Sequence, residues 1–227
     1  MEEKKTIVIS LGGSVVLSND IDHTFFKEIQ RFIDELIENY KVYLIIGGGT
    51  TARTYIKLGR NQEFSEENLD WIGIHSTRLN AMFLSILLTN KIKQIPETTD
   101  QALQITDPLV IMGGTTPGHS TDFVGAELAA KENAMVFIIA TNVDGVYDKD
   151  PNKHKDACFL KEISIESLLS QYGNSWDSAG KNTVIDGPAL QKIKDYQIPT
   201  AVVDGRNIKE MKNIINNTSF HGTKILH

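Results

Sequence analysis

The chain has 227 residues, of which 41% are hydrophobic and 23% are charged, and this balance predicts one large globular domain or two lobes that share a core. Its 23 basic and 29 acidic residues give a net charge of −6, so no broad basic field favours nucleic acid or an anionic membrane as the main partner. The single cysteine, Cys158, has no partner for a disulfide, and we expect neither a signal peptide nor an apolar run of about 18 residues, which indicates a cytoplasmic protein.

Short β-rich runs alternate with amphipathic helices along the first half of the chain. The pattern predicts strands at 6–10, 42–46 and 109–112, and helices at 22–39, 50–58 and 66–88, the last with Ser65 as its N-cap. The apolar positions of the helices at 22–39 and 66–88 can serve either as core faces or as a dimer interface.

The second half continues the alternation and completes the predicted fold. It predicts helices at 120–131, 165–171, 183–195 and 208–215, strands at 134–140, 200–203 and 222–226, and a hairpin excursion at 146–160. This order is typical of an α/β protein, a three-layer αβα sandwich around a mostly parallel open sheet. We expect a first lobe to about residue 110 and a second lobe at 111–227, sharing one continuous sheet.

Glycines follow three of the predicted strands directly, at Gly12-Gly13, at Gly47–Gly49 and at Gly113-Gly114. Ligands of open α/β sheets bind beyond the carboxyl ends of the strands. Glycine lets backbone N–H groups approach an oxyanion closely, and the helix N-termini behind such loops favour negative charge. One glycine pair would only turn a strand into a helix, whereas three together predict a site for several phosphates.

Two common phosphate motifs do not account for these loops. The P-loop pattern is absent, because its nearest counterpart has Ser175 at the first glycine position and Asn182 at the last. A dinucleotide fingerprint is met at Gly47, Gly49 and Ala52, with an aspartate about twenty residues further on. That signal is weak alone, and it leaves the other two glycine loops unexplained.

Four stretches of the sequence carry a family resemblance. They are Ser10–Ser14 (SLGGS), Gly47–Arg53 (GGGTTAR), Gly113–Asp122 (GGTTPGHSTD) and Thr141–Pro151 (TNVDGVYDKDP). In this order they resemble the uridylate kinases of the amino-acid-kinase superfamily, and the third stretch points to the archaeal type. The resemblance covers nearly the whole chain. It implies a transferase that passes the γ-phosphoryl group of ATP in line to UMP in pyrimidine nucleotide biosynthesis, assembled as a homohexamer, a trimer of dimers.

The resemblance also implies a role for individual positions. On the ATP side it implies phosphate contacts for Gly12, Gly13, Ser14, Gly49 and Arg53, and an adenine and ribose pocket of Thr141, Asn142, Tyr147 and Asp150. On the UMP side it implies contacts for Gly48, Asp70, Thr115, Thr116, Pro117, Gly118, His119, Ser120 and Thr121. Catalytic roles fall to Arg53 and Asp122.

Residue chemistry supports some of these roles and leaves others open. Arg53 lies four residues past the glycine triplet, one helical turn on, and its planar donor fork suits a phosphate. Asp122 either orders the Thr121 hydroxyl or is a plain helix N-terminal carboxylate. Asp70 can instead be an aspartate on a helix surface, and His119 can be a structural histidine of its loop. Asp144 is interpreted as a structural organiser of its loop.

No cluster of histidine, cysteine, aspartate and glutamate has convincing metal-ligand spacing. Mg²⁺ is therefore expected to arrive with ATP, held largely by phosphate oxygens and water. Without a nucleophile–base pair, direct transfer between the two substrates is the predicted reaction.

One position departs from the superfamily pattern. Many members carry a lysine two residues before the first glycine, where this chain has Ser10. Lys4 and Lys5 lie too early on the strand to substitute, which leaves Arg53 or a lysine among Lys153, Lys155 and Lys181 as the compensating cation.

Two other classes of function stay open. A different kinase of this fold is the first, although isopentenyl phosphate kinases usually carry a histidine where Thr50–Arg53 stand, and carbamate and acylphosphate-forming members lack the loop at 115–122. The second is a non-catalytic member that binds a nucleotide or stores an oxyanion such as molybdate.

Overall fold

The computed structural model describes residues 4–17, 23–89, 91, 94–149, 151, 153–175 and 184–227, with the side chain of His23 left out. The predicted ATP-side residue Asp150 and the candidate cation Lys181 lie outside the described residues. So do Asp22 and Thr183, the first residues of two predicted helices.

The described elements follow the predicted order closely. They are β1 (Lys5–Leu11), α1 (Gly13–Val16), α2 (His23–Asn39), β2 (Tyr40–Ile46), α3 (Gly49–Asn61), α4 (Glu66–Thr89), α5 (Thr99–Leu103), β3 (Leu109–Met112), α6 (Thr121–Lys131), β4 (Val136–Thr141), β5 (Val146–Tyr147), β6 (Phe159–Leu160), β7 (Glu162–Ser164), α7 (Ile165–Tyr172), α8 (Gly187–Asp195), β8 (Thr200–Asp204), α9 (Ile208–Ile215) and β9 (Thr223–Leu226). Helix α8 begins later than predicted, because Asp186 is its N-cap and its Oδ1 accepts from the Ala189 N–H at 3.0 Å. Three short elements, α1, α5 and β7, were not predicted.

Seven strands form one sheet in the order β3-β2-β1-β4-β8-β9-β7. Every neighbouring pair is parallel except β8 and β9, so the prediction of a mostly parallel sheet is confirmed. Strand β1 lies between β2 and β4, with Leu11 opposite both Ile46 and Ala140. The carboxyl ends of these three central strands therefore meet at one edge of the sheet. The predicted hairpin is also confirmed, as the antiparallel pair β5 and β6.

Helices cover both faces of the sheet, which confirms the three-layer αβα sandwich. Alternate residues of β1 point to opposite layers: Ile7 and Ile9 pack with α2, α4 and α9, and Val8 packs with α6 and α8. Because the central strands are buried on both sides, they read as continuous apolar runs. Across the described ranges, no helix is both long enough and apolar enough to span a lipid bilayer.

Candidate functional site

A cleft of about 300 Å³ opens where the central strands end. Most of the predicted site residues line it, namely Gly12, Gly13, Ser14, Gly48, Gly49, Arg53, Asp70, His119, Ser120, Thr121, Asp122, Thr141 and Asn142. These residues come from five separate stretches of the chain, at 12–14, 48–53, 70, 119–122 and 141–142. The fold thus brings together side chains and glycines that the sequence separates by more than a hundred residues.

The first two glycine loops touch each other at the floor of the cleft. A Cβ on Gly13 would lie 2.3 Å from both the Gly47 carbonyl oxygen and the Gly49 nitrogen. Gly49 has a φ of +60°, in the left-handed region that glycine adopts without strain. The contact therefore requires glycine on both sides, and it fixes the distance between the ends of β1 and β2.

Helix α3 begins in the second glycine loop, with Gly48 as its N-cap. Gly48 has no side chain to cap the first N–H groups of the helix. The uncapped N–H groups and the positive end of the helix dipole at the cleft suit an anionic group.

One stretch of helix α4 holds the second and third glycine loops. The Asn80 side-chain amide donates to the carbonyls of Gly47 at 2.8 Å and Gly48 at 3.1 Å. The Thr77 hydroxyl accepts from the Gly114 N–H at 2.7 Å, and Arg78 Nε donates to the Gly114 carbonyl at 3.1 Å. Sequence reasoning missed these anchors, because polar side chains within a largely apolar helix gave no sign of which loops they would meet.

The third loop is tied to α4 by Asp70, which the resemblance assigns to the UMP side. Asp70 Oδ2 accepts from the Gly118 N–H at 2.8 Å. Burial raises the pKa of the Asp70 carboxyl above its ordinary value, and the Gly118 hydrogen bond opposes that rise. Asp70 lines the cleft, whereas four predicted residues of the loop do not, namely Thr115, Thr116, Pro117 and Gly118.

His119 lies at the end of this loop, where it both lines the cleft and packs within it. Its ring stacks on Phe123 with centroids 4.1 Å apart, and its Nδ1 lies 3.1 Å from Thr116 Oγ1. These contacts fix the imidazole at the wall of the cleft.

Two carboxylates line the cleft at the N-termini of α6 and α8. Asp122 Oδ1 accepts from the Ser10 hydroxyl at 2.6 Å, and Asp186 Oδ2 accepts from Ser120. Burial, helped by the charge of Asp186, raises the pKa of Asp122 to about 7, and the Ser10 hydrogen bond opposes this shift. Burial also raises the pKa of Asp186, against hydrogen bonds that begin with the one from Ser120.

Ser10, at the position where the resemblance leads one to expect a lysine, is thus a neutral donor to the Asp122 carboxylate. Sequence reasoning missed Asp186, because an isolated N-cap aspartate carries no signal until the fold brings it near Asp122. The proposed ordering of the Thr121 hydroxyl by Asp122 stays a prediction.

Arg53 is exposed on α3 beside the glycine loops and lines the cleft. Its Nη2 lies 3.5 Å from the Thr50 hydroxyl, a distance at which a hydrogen bond is weak. Within the described ranges it is the only lysine or arginine on the cleft wall, since Lys153 and Lys155 are exposed on the hairpin away from it.

The loop at 142–148, which follows β4 and includes the short strand β5, meets the cleft on its opposite wall at Asn142. Thr141 and Asn142 line the cleft there. Tyr147 does not, and its hydroxyl donates instead to Asp144 Oδ1 at 2.8 Å. This wall also receives residues that were not predicted, from the end of α7 and the start of α8, namely Tyr172, Ser175, Val184, Ile185 and Gly187.

Comparisons with known proteins agree with the geometry. Residues 5–204 match the amino acid kinase family. The chain is 40% identical over 220 residues to a uridylate kinase of Methanococcus aeolicus, covering 93% of this chain and 96% of that protein. It is 39% identical to a uridylate kinase of Methanocaldococcus jannaschii over 230 residues, 95% of this chain and 99% of the relative.

Solved structures give the same result. The crystal structure of uridylate kinase from Archaeoglobus fulgidus superposes with a TM-score of 0.82 at 37% identity, covering 97% of this chain and 99% of that one. UMP kinase from Ureaplasma parvum superposes with a TM-score of 0.77 at 21% identity over 99% of this chain and 100% of its own, which supports the fold alone.

Proposed function

We propose, on the premise that the chain belongs to the amino acid kinase family, that it is a uridylate kinase of the archaeal type. It transfers the γ-phosphoryl group of ATP to UMP and yields UDP and ADP. The observation that carries this proposal is the contact of Gly13 with Gly47 and Gly49, which places two phosphate-type loops side by side in one cleft. Two such loops suit a donor and an acceptor phosphate that must meet.

The two walls of the cleft divide between the substrates in this proposal. Gly48, Asp70 and the loop at 115–121 hold UMP, on a lobe that reaches to about residue 110 and its adjoining loop. Gly12, Gly13, Ser14 and Gly49 contact the ATP phosphates, and the adenosine lies on the lobe at 111–227, against Thr141 and Asn142. The division is supported by the lining of the cleft, which includes Gly48, Asp70 and the end of the loop at 119–121 on the UMP side and Gly12, Gly13, Ser14, Gly49, Thr141 and Asn142 on the ATP side.

The transfer itself is a direct in-line displacement. An oxygen of the UMP phosphate forms a bond to the γ-phosphorus while the bond to the β,γ-bridging oxygen of ATP breaks, so the bridging electron pair leaves with ADP. Backbone N–H groups of the glycine loops and the Arg53 guanidinium stabilise the charge of the transferring group. Arg53 is thus the proposed substitute for the superfamily lysine.

Mg²⁺ fits this site as a companion of ATP. No group of three or more histidine, cysteine, aspartate and glutamate side chains in the described ranges is arranged to hold a metal ion. Phosphate oxygens and water would supply most of its ligands, and the ion would neutralise charge on the phosphates.

A second copy of the chain is the proposed partner for the apolar surface of α3 and α4. Large apolar side chains are exposed there, among them Tyr55 at 58%, Leu58 at 57% and Leu79 at 59%, with Met82 and Ile86 on the same helix as Leu79. Leu79, Met82 and Ile86 are three and four residues apart, which places them on one face of α4, and exposed apolar side chains grouped in this way are typical of an interface. We propose a dimer through it, within a hexamer built as a trimer of dimers, in the cytoplasm.

The experiment that tests the function is a substrate panel. ADP release is measured with ATP and Mg²⁺ against UMP, CMP, dUMP, isopentenyl phosphate and carbamate. Strong turnover with UMP is the expected result, and preferred turnover of isopentenyl phosphate or carbamate would assign another kinase of this fold.

Arg53→Gln supplies the matched variant for the same assay. We expect kcat with UMP to fall about 100- to 1000-fold, because a positioned arginine stabilises the transferring phosphoryl group. Arg60→Gln is the control, since Arg60 lies on the same helix but pairs with Glu66 at the surface. Equal effects of the two substitutions would contradict the role of Arg53.

A further inference from the structure

The turn that leads into β9 and the first residue of that strand, Thr223, pack against the loop at 142–148, whose Asn142 lines the cleft. The Val146 N–H donates to the Thr223 hydroxyl at 2.8 Å, and that hydroxyl donates to the Leu160 carbonyl at 2.6 Å. A Cβ on Gly145 would lie 2.6 Å from Thr223 Oγ1. The C-terminal part of the chain is thus in direct contact with the loop.

His221 gives this contact a side chain that can carry charge. Its Nε2 lies 3.1 Å from Asp144 Oδ2, and its ring stacks on Phe159 with centroids 4.9 Å apart and planes at 16°. Its backbone N–H donates to Glu210 Oε2 at 2.8 Å. The imidazole is therefore held in place from β6 and α9 while it faces the loop.

Asp144 carries the contact onward into the loop. Its second oxygen, Oδ1, accepts from the Tyr147 hydroxyl at 2.8 Å, and the Tyr147 ring meets Phe159 edge-on at 5.6 Å. One carboxylate therefore joins His221 to Tyr147. The backbone between Thr141, which lines the cleft, and Tyr147 is thereby constrained from its far end.

We propose that His221 is a positioning residue for this loop, and that its positive charge strengthens the binding of ATP. The inference rests on the proposed function, in which the loop holds the adenosine of ATP. A protonated imidazole makes a charge-assisted hydrogen bond to Asp144, which is stronger than a neutral one. A neutral imidazole at position 221 holds the loop less firmly. More of the binding free energy of ATP is then used to order the loop, and the measured affinity falls.

Titratable groups from several elements face or adjoin His221. They are Asp144 in the loop, Tyr147 on β5 and Glu210 on α9, with Lys209 beside Glu210. Burial raises the pKa of Asp144, but hydrogen bonds from Tyr147 and His221 outweigh it and hold that pKa below its ordinary value. The hydrogen bond from the His221 N–H lowers the pKa of Glu210. Both carboxylates therefore stay ionised from about pH 5 to about pH 8, the interval over which histidine side chains in general can change charge.

The test compares ATP affinity across that pH range in four proteins. Titration calorimetry with a non-hydrolysable ATP analogue and Mg²⁺ gives Kd for the wild type, His221→Gln, His221→Lys and the control His154→Gln. His154 is an exposed histidine between β5 and β6. The wild type and the control should bind the analogue about two- to fivefold more weakly at high pH than at low pH, the size of effect expected for an exposed ion pair.

The two His221 variants separate the effect of a positive charge at position 221 from the effect of the imidazole ring on ATP affinity. His221→Gln should bind the analogue at every pH as weakly as the wild type does at high pH. His221→Lys should bind it at every pH as tightly as the wild type does at low pH, because only the lysine keeps its charge. The KM for UMP should not differ among the four proteins. Asp122 also titrates in this range, but it is present in all four and cancels from the comparison.

If the Kd of the analogue depends on pH in the same way in the wild type and in His221→Gln, the inference is overturned. Turnover of UMP in that case would leave the kinase assignment intact. A His221-dependent ATP affinity without turnover of UMP would do the reverse. Absence of binding by the ATP analogue would overturn both.

Discussion

The two walls of the cleft are held by different kinds of contact. On one wall, buried side chains of α4 reach outward to two glycine loops, through Asn80 to Gly47 and Gly48 and through Thr77 to Gly114. On the other wall, the loop after β4 is held from outside, by Arg206 on the Asn142 carbonyl and by the His221–Asp144 pair. The side chain of Asn80 is 1% exposed, whereas that of His221 is 60% exposed.

This difference teaches which part of the cleft the fold fixes and which part solution conditions can reach. A buried hydrogen bond is costly to break, because the group left behind loses its partner without gaining water. An exposed pair contributes less and responds to pH and salt. The α4 wall should therefore be rigid, and the wall after β4 should be adjustable.

The largest expected effect comes from the floor that joins the walls. Gly13→Ala would place a Cβ 2.3 Å from two backbone atoms of the second glycine loop, and backbone cannot move aside cheaply. We expect kcat/KM with UMP to fall by at least about 100-fold, because misplacing the loops by a fraction of an ångström disrupts the alignment of the phosphates.

Gly73→Ala is the control for this change. Gly73 also lines the cleft, but its added Cβ would meet only the end of Ile56 at an ordinary 3.6 Å. Near-normal kinetics for Gly13→Ala would mean that the two loops do not need their close contact.

On the buried wall, Asn80→Ala removes two hydrogen bonds to the second glycine loop. We expect the free energy of unfolding to fall by about 1–3 kcal/mol, because the buried Gly47 carbonyl and the partly buried Gly48 carbonyl lose a donor. The KM for UMP should rise about tenfold, with a smaller change for ATP. Chemical denaturation and steady-state kinetics measure the two effects.

Ser85→Ala is matched to Asn80→Ala, since Ser85 is buried on the same helix and its hydroxyl has no hydrogen-bond partner in the described ranges. Removing that hydroxyl should leave both KM values unchanged and raise stability slightly, by less than about 1 kcal/mol. A loss of UMP affinity in Ser85→Ala would show that the helix, and not Asn80, sets the loop.

Between the walls, Asp122→Asn tests the carboxylate pair through stability. The pKa of Asp122 in the folded protein is raised to about 7, so the folded state binds a proton more tightly than the unfolded state does. The contribution of Asp122 to the free energy of unfolding is therefore most favourable below the ordinary pKa of an aspartate, and it is lost as the pH rises towards 7.

The variant should consequently be more stable than the wild type at pH 8, by about 1–3 kcal/mol, and equally stable near pH 4. Thermal unfolding at the two pH values measures the difference. A variant that is less stable at pH 8 would mean that the pair is held by a bound cation or by contacts that the carboxylate alone provides.

The smallest effect is expected on the exposed wall. Arg206→Gln removes the donor to the Asn142 carbonyl, at 3.2 Å, from a side chain that is 58% exposed. The KM for ATP should rise only about twofold, with the KM for UMP unchanged. An effect as large as that of Asn80→Ala would contradict the contrast between the two walls.

Most of the fold could be predicted because it depends on local periodicity. A run of apolar residues predicts strand β1, and a long stretch of helical spacing predicts helix α4. Helix α1, with four residues inside a glycine turn, and strand β7, with three residues at the sheet edge, are too short to show a period. They form because tertiary neighbours complete them.

The site was predictable where a pattern lies within one loop and not where it depends on packing. The glycine loops could be found from their positions after the predicted strands, and Arg53 from the family resemblance together with its place one helical turn past the second loop. Asp186 could not, because only the fold brings it near Asp122, and the role of Asn80 depends on which loops α4 happens to face. Tyr147 was assigned to the adenine pocket, yet its hydroxyl is engaged by Asp144 outside the cleft lining.

The central place of β1 has a consequence for synthesis on the ribosome. Strand β1 can pair with β2 as soon as residue 46 has emerged, and the contact of Gly13 with Gly47 and Gly49 can follow three residues later. The other edge of β1 waits for β4, which ends at Thr141, 95 residues after the end of β2. At about 5–20 residues per second, that apolar edge stays open for roughly 5–20 seconds. The nascent chain therefore presents an unpaired strand edge, the kind of surface that chaperones shield from neighbouring chains.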